Sequence, residues 1–332
     1  MHFRTMSSRE IKAISVVAGL TRSALPRGAL ACLPSIVALY QFRVAVMKII
    51  RFDGDLLAKT LNEILNVVEI QGIQWQRFKE LNKLLRGFRS HEMTVLSGKT
   101  GVGKTTFACE YSLDLAEQGV RTLWGSFEMP LPRICRTLLH QFAGEQLYLQ
   151  TPMRVAAWAS AFQHEIPMFF INTHGRPSEK EVFLALEESV KRDAVEHVIL
   201  DNLQFMMGCT GSQGIEDKFQ RQDRFVERLR AFATDTGAHL TLVVHPRKVD
   251  SDQLLTISSL YGGGKIGQEA DNILLVQEEV DTAVPKKYLQ VVKNRYDGTV
   301  GKMDLHFNRS RMSFKPSSRS LEALQAASEA ID

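Results

Sequence analysis

The stretch Met93-Thr94-Val95-Leu96-Ser97-Gly98-Lys99-Thr100-Gly101-Val102-Gly103-Lys104-Thr105-Thr106 decides the fold. Its first five residues form a short apolar run suited to a buried strand, and Gly98 to Thr105 satisfies G-x-x-x-x-G-K-[ST] at every fixed position. Glycines let backbone N–H groups turn inward around phosphate oxygens. Lys104 places a point charge on the β and γ phosphates, and the Thr105 hydroxyl is placed to ligate Mg²⁺. A helix starting at Lys104 aims its N-terminus at the same anion. Gly98, Gly101, Val102, Gly103, Lys104, Thr105 and Thr106 therefore form a candidate site for ATP with Mg²⁺. A plain glycine-rich turn leaves Lys104-Thr105 unexplained.

Outward from this loop, short apolar runs alternate with longer helical ones. The runs Met93–Ser97, Thr122–Ser126, Met168–Asn172, His197–Asp201, Leu240–His245 and Asn272–Val276 are separated by helical stretches at Thr106–Gln118, Arg133–Phe142, Glu179–Arg192 and Lys218–Thr234. Strands covered on both faces by crossover helices read this way, which predicts an α/β fold with a mainly parallel, twisted sheet. Tyr288–Lys293, Met303–Phe307 and Met312–Phe314, joined by turn signals at Asp297-Gly298 and Asn308, predict antiparallel strands closing one edge. Ahead of the loop, Leu57, Leu61, Ile64, Leu65 and Val68 recur at helical steps and predict a helix with one apolar stripe over Asp53–Ile70.

Five further positions carry candidate chemistry. Asp201 ends the run Val198-Ile199-Leu200, at the strand end that lines a ligand crevice, so with Thr105 it is the second candidate metal contact; alone it would read as a turn former. Glu128, in Leu123-Trp124-Gly125-Ser126-Phe127-Glu128, is placed to polarise a water attacking the γ-phosphate, or else to start a helix ahead of Pro130. His245 reads as a γ-phosphate contact or as a satisfied strand-end histidine. Lys293 and Arg295, two residues apart on an extended segment, share a side. They are either a solvated edge pair or an arginine finger supplied to another chain.

Composition bounds the rest. The 332 residues suit one large or two modest domains, and 44% hydrophobic with 23% charged residues can build a core. No run reaches the ~20 apolar residues of a membrane span. The net charge of +4 permits a polyanion partner without demanding one. Cys32, Cys109, Cys135 and Cys209 lie far apart and read as reduced thiols, with no zinc or disulfide spacing. From Met1 to Arg51 there are eight Lys or Arg and one acid, Glu10. That bias reads either as a mitochondrial transit segment or as a solvated arm. Residues 316–332 read as a flexible polar tail.

From about Ile70 to Lys315, roughly three quarters of the chain, the sequence resembles the mitochondrial replicative DNA helicases of the DnaB-like family, ring-forming enzymes built from RecA-like domains. The residues carrying the resemblance are Gly98–Thr106, Thr122–Glu128, His197–Gly208, Val244–Lys248, Gln268–Asn272 and Lys293–Arg295. It implies a RecA-like P-loop ATPase core over 91–315, a linker helix and connector over 52–90, and an ATP-driven 5′-to-3′ helicase. It makes Glu128 the catalytic base, His245 a phosphate sensor, and Lys293 with Arg295 the finger reaching a neighbouring subunit's ATP. DNA-facing loops fall at Gly208–Asp217 and Arg247–Gly267, with Arg247, Lys248 and Lys265 as DNA contacts, and the linker helix docks on an adjacent subunit. Implied partners are single-stranded DNA and replication forks, further copies in a homo-hexamer or heptamer, a replication polymerase and a single-strand binding protein, in the mitochondrial matrix nucleoid. Two departures stand out. Met1–Arg51 is too short for the family's primase-like region, so no primase role is expected. Gly262-Gly263-Gly264 replaces a glycine-serine pattern in the second DNA loop. Competing readings are a RecA-like DNA-dependent ATPase and a non-catalytic partner of a longer isoform.

Overall fold

The structure, a computed structural model, describes residues 51–65, 72–172, 177–204, 206, 218–247, 253–261, 263–279 and 286–314. The basic segment before Arg51, the expected DNA loop at Gly208–Asp217, Lys248, Gly262, Cys32, Cys209 and the tail lie outside these residues. Two compact units are distinguished, Met1–Ile64 and Leu65–Asp332.

The first unit holds all of α1, Gly54–Leu65, except its last residue, and the helix opens with Asp55 favourably placed at the positive end of its dipole. Its apolar positions Leu57, Leu61, Ile64 and Leu65 are exposed. The expected continuation to Ile70 falls outside the described residues.

The second unit contains α2 (Lys79–Leu85), β1 (Met93–Gly98), α3 (Lys104–Ala116), β2 (Thr122–Ser126), α4 (Leu131–Ala143), α5 (Pro152–Glu165), β3 (Met168–Phe170), α6 (Glu179–Asp193), β4 (His197–Asp201), α7 (Lys218–Thr236), β5 (His239–Val244), α8 (Gly263–Glu269), β6 (Asn272–Glu279), β7 (Lys286–Asn294) and β8 (Gly301–Leu305). The eight strands form one sheet in the order β3-β2-β4-β5-β1-β6-β7-β8. Pairing is parallel from β3 to β6 and antiparallel at β7 and β8.

The apolar runs are continuous because both faces are covered. Leu96, Ile199, Val243 and Leu274 point to a core with Phe107, Tyr111, Leu138 and Phe142 of α3 and α4. Their strand neighbours Val95, Val198, Leu242 and Ile273 point to the opposite core with Leu186, Phe225 and Leu229 of α6 and α7. Successive residues of a strand face opposite ways, so one run feeds two cores.

Helix ends follow local chemistry. Ser178 and Glu181 form a capping box at α6, and Thr151 caps α5 ahead of Pro152. The periodicity reading missed α5, which buries only Trp158 and so has no broad apolar stripe. It also missed the short helices α2 and α8. Met312–Phe314 is not a strand: a single bridge joins Ser313 to Asn308. The Asn308 side chain accepts from the backbone of Ser310 at 3.0 Å and Arg311 at 3.2 Å, and thereby holds a turn. Buried Glu110 of α3 then draws the segment onto the helix by accepting from Ser313 Oγ at 2.7 Å and Phe314 N at 2.6 Å.

Candidate active site

β1 ends at Gly98 and α3 begins at Lys104, so the chain reverses in the few residues between. Gly101 (φ 80°) and Gly103 (φ 109°) adopt backbone conformations that a Cβ disfavours. Gly103 is the N-cap of α3, and no side chain caps the helix, which leaves that terminus to an anion. Lys104 Nζ folds across the loop and donates to Gly98 O at 2.8 Å and Lys99 O at 3.1 Å. Burial lowers its pKa, and the charges of Asp201 and Glu128 oppose that effect.

β2 and β5 flank β4, so residues at the C-terminal ends of these strands converge beside the loop. Thr105 Oγ1 donates to Asp201 Oδ2 at 2.7 Å. Asp201 is buried, and burial raises its pKa; the Thr105 hydrogen bond lowers it again, and the like charge of Glu128 adds to the rise. A hydroxyl and a carboxylate in contact, both hard oxygen donors, suit Mg²⁺, which takes few protein ligands beside phosphate oxygens and water. Among the described residues no group of three His, Cys, Asp or Glu could hold a metal by itself.

Glu128 is presented by a tight turn in which Ser126 Oγ donates to Met129 O at 2.7 Å and Phe127 N donates to Asp201 O at 2.7 Å. Asn202 Nδ2 donates to Glu128 Oε2 and lies 2.8 Å from His245 Nε2. His245 Nε2 is 3.2 Å from Glu128 Oε2. One imidazole nitrogen cannot accept from Asn202 and donate to Glu128 together, so the proton on Nε2 selects between two arrangements. Gln204 holds the histidine's backbone in place, accepting from His245 N at 3.1 Å and donating to His245 O at 3.3 Å. Asn202 and Gln204 fall within the stretches that carry the resemblance, but sequence reasoning gives them no role. Neither residue type signals one, and only the approach of β2, β4 and β5 reveals it.

Lys293 and Arg295 sit elsewhere. β6 runs parallel to β1 with Thr94 opposite Asn272 and Gly98 opposite Val276, while Asn272 pairs with Asn294 of β7. The two cations therefore lie at the sheet edge where β1 starts, roughly 13 Å of strand away from the phosphate loop, at ~3.3 Å per residue. They do share a side. The register shift between Ile273 and Leu274 leaves Val292 unpaired and turns Lys293 toward α8, where its Nζ donates to Gly267 O at 2.7 Å and Ala270 O at 2.6 Å. Arg295 Nη2 donates to Gln268 O at 2.6 Å.

Of the expected DNA contacts, Arg247 stands at the base of its loop, where its N–H donates to Ser259 O at 2.7 Å and Pro246 bridges Leu260. Lys265, on α8, is not a free cation: Glu227 and Glu269 (2.9 Å) both hold its ammonium, and these hydrogen bonds raise its pKa above the ordinary lysine value.

A strand, glycine loop and helix, with a carboxylate ending a parallel strand one place removed in the sheet, define a P-loop NTPase of RecA-like architecture. The family model described as "AAA domain" matches residues 58–251, and the chain belongs to that family. Its sequence is similar to the replicative DNA helicase DnaB of Mycoplasma genitalium, 26% identical over 262 residues, covering 71% of this chain and 55% of that one. It is also similar to the DNA helicase/primase of Enterobacteria phage T3, 20% identical over 287 residues, covering 80% and 50%. The chain thus spans about half the length of the curated relatives it matches. In fold it is similar to a DnaB-like replicative helicase solved for its interactions with primase (TM-score 0.63, 18% identity, 92% of this chain and 75% of that one). It likewise resembles a separately solved ATPase domain (TM-score 0.67, 16% identity, 80% and 100%).

Proposed function

We propose that the chain is the motor of an ATP-driven replicative DNA helicase that assembles as a ring and translocates 5′-to-3′ on single-stranded DNA. Gly98 to Thr106 would hold the triphosphate of ATP, with Lys104 on its charge and Thr105 and Asp201 holding Mg²⁺, which neutralises developing phosphate charge. Glu128 would accept the proton of the attacking water, steadied by Asn202, and His245 would register the state of the γ-phosphate through the proton on Nε2. Arg247 and Lys248 would track the DNA backbone, and Lys265 would join them only by exchanging a carboxylate for a phosphate. The apolar stripe of α1 would dock on the next copy. The basic bias before Arg51 favours the finer reading of a Twinkle-like helicase of the mitochondrial matrix, acting with a polymerase and a single-strand binding protein.

The observation carrying this reading is the separation of Arg295 and Lys293 from their own phosphate loop. An arginine on the opposite strand edge cannot reach its own nucleotide, whereas in a head-to-tail ring it faces the next one. Arg295→Ala and Lys104→Ala chains, each inactive alone, are expected to recover DNA-stimulated ATPase when mixed. Activity no higher than either variant alone, at every ratio, would overturn the trans finger.

A further inference from the structure

Buried Asp271 stands at the junction of α8 and β6, and three elements meet on its carboxylate. Oδ1 accepts from Arg295 Nη1 at 3.1 Å. Oδ2 accepts from Met93 N, the first residue of β1, at 2.8 Å, and from Arg230 Nη1 of α7 at 2.5 Å. The backbone repeats the links: Asp271 N donates to Met93 O at 2.8 Å and Arg295 N donates to Asp271 O at 2.9 Å. Arg295 is thus gripped at its main chain and at both terminal nitrogens of its guanidinium, Nη1 by Asp271 and Nη2 by Gln268 O at 2.6 Å, while about half of its side chain stays exposed. A guanidinium has five N–H donors in a planar fork, so these two bonds fix its plane and leave the remaining three donors in a set direction.

We propose that Asp271 is the positioning residue of Arg295, orienting the guanidinium toward a neighbouring copy's nucleotide and tying it to α7 through Arg230. This rests on the reading of Arg295 as a trans-acting finger. A buried carboxylate between two arginines is suited to the task. One charge cannot satisfy both fully, so movement of α7 changes how tightly Arg295 is held. The start of β1 anchors Oδ2, the oxygen shared with Arg230, which keeps the carboxylate in register with the strand that leads to the phosphate loop. Asp271 touches no nucleotide of its own chain, so its loss acts on turnover in the adjacent site and spares binding in its own.

The test uses full-length chains carrying Asp271→Asn, which keeps the shape and removes the charge. DNA-stimulated ATPase is expected to lose about 10-fold in kcat with KM for ATP within about 2-fold, the pattern of misplaced catalytic geometry. Mixing with Lys104→Ala, which lacks a phosphate site but keeps its finger, is expected to restore turnover, as in the parallel mixture of Arg295→Ala with Lys104→Ala. Restoration for Arg295→Ala but not for Asp271→Asn overturns the positioning role while the trans finger stands. Restoration in neither overturns both. Wild-type turnover by Asp271→Asn also overturns the role. Should that variant not fold, Asp271→Glu, which retains the charge and pushes Arg295 outward by one methylene, is expected to show the same kcat loss and the same rescue; wild-type turnover or failed rescue there counts equally against it.

Discussion

Asn202 is the residue that joins Glu128 to His245, because one amide lies against both. Replacing it with Ala is expected to leave ATP binding intact and lower kcat by about 10- to 100-fold, since the carboxylate loses its fixed direction. Single-turnover hydrolysis beside equilibrium nucleotide binding reads the two effects separately. Lys104 and Glu128 separate the same way. Lys104→Ala removes the charge within the phosphate cradle and is expected to abolish binding. Glu128→Gln keeps binding and should slow hydrolysis by about 10²- to 10⁴-fold, the usual contribution of a general base. Equal loss of binding in both variants would sink the assignment of Glu128.

At the scale of elements, α8 and the loop before it divide the expected DNA contacts. Arg247 stands at the loop base with no ion pair among the described residues, whereas Lys265 is held by two carboxylates. For single strands, log affinity falls against log salt with a slope of about −0.7 per neutralised phosphate. Arg247→Ala is therefore expected to flatten the slope by about that amount, and Lys265→Ala to change it less. Equal flattening would show that the lysine leaves Glu227 and Glu269 for phosphate. For α1, the exposed positions Leu57 and Leu61 give the helix no buried role of its own. Leu57→Glu with Leu61→Glu is expected to reduce assembly size in sedimentation while the melting temperature of the ATPase unit stays put. Unchanged assembly would remove α1 from the interface.

For the whole molecule, the edge of the sheet far from the phosphate loop carries two buried histidines, His197 and His239, packed around Phe88. Burial depresses both, His239 to about 4, and the neighbouring His239 depresses His197 further. The unfolded chain takes up their protons near the ordinary value of ~6.5, while the fold refuses them until about pH 4 for His239. The unfolded state thus binds more protons in this window. The histidine contribution to stability is complete above about pH 6.5 and falls toward pH 4, by roughly 3 kcal/mol for His239 on ~1.4 kcal/mol per pH unit. Asp114 and Asp201, raised by burial, act with the opposite sign. The histidine part is read as the difference between urea unfolding of the wild type and of His239→Gln, whose profile should be flatter between pH 4 and 6.5. Parallel profiles would show that His239 is protonated within the fold.

Much of this architecture was legible in residue order because its causes are local. Continuous apolar runs of strand length between helical stretches point to strands covered on two faces, and Gly98 to Thr105 encodes its own turn through glycines and its own charge through Lys104. Asp201, Glu128 and His245 were legible as strand-end residues, since parallel strands deliver their C-terminal ends to one crevice. What the order of residues could not decide is which side chains meet across that crevice, as with Asn202 and Gln204. Nor could it decide where an unpaired Val292 turns Lys293, or that Glu227 and Glu269 close on Lys265. These depend on register and on the approach of helices distant in sequence, and such pairings arise only when the sheet has formed and its two cores have closed.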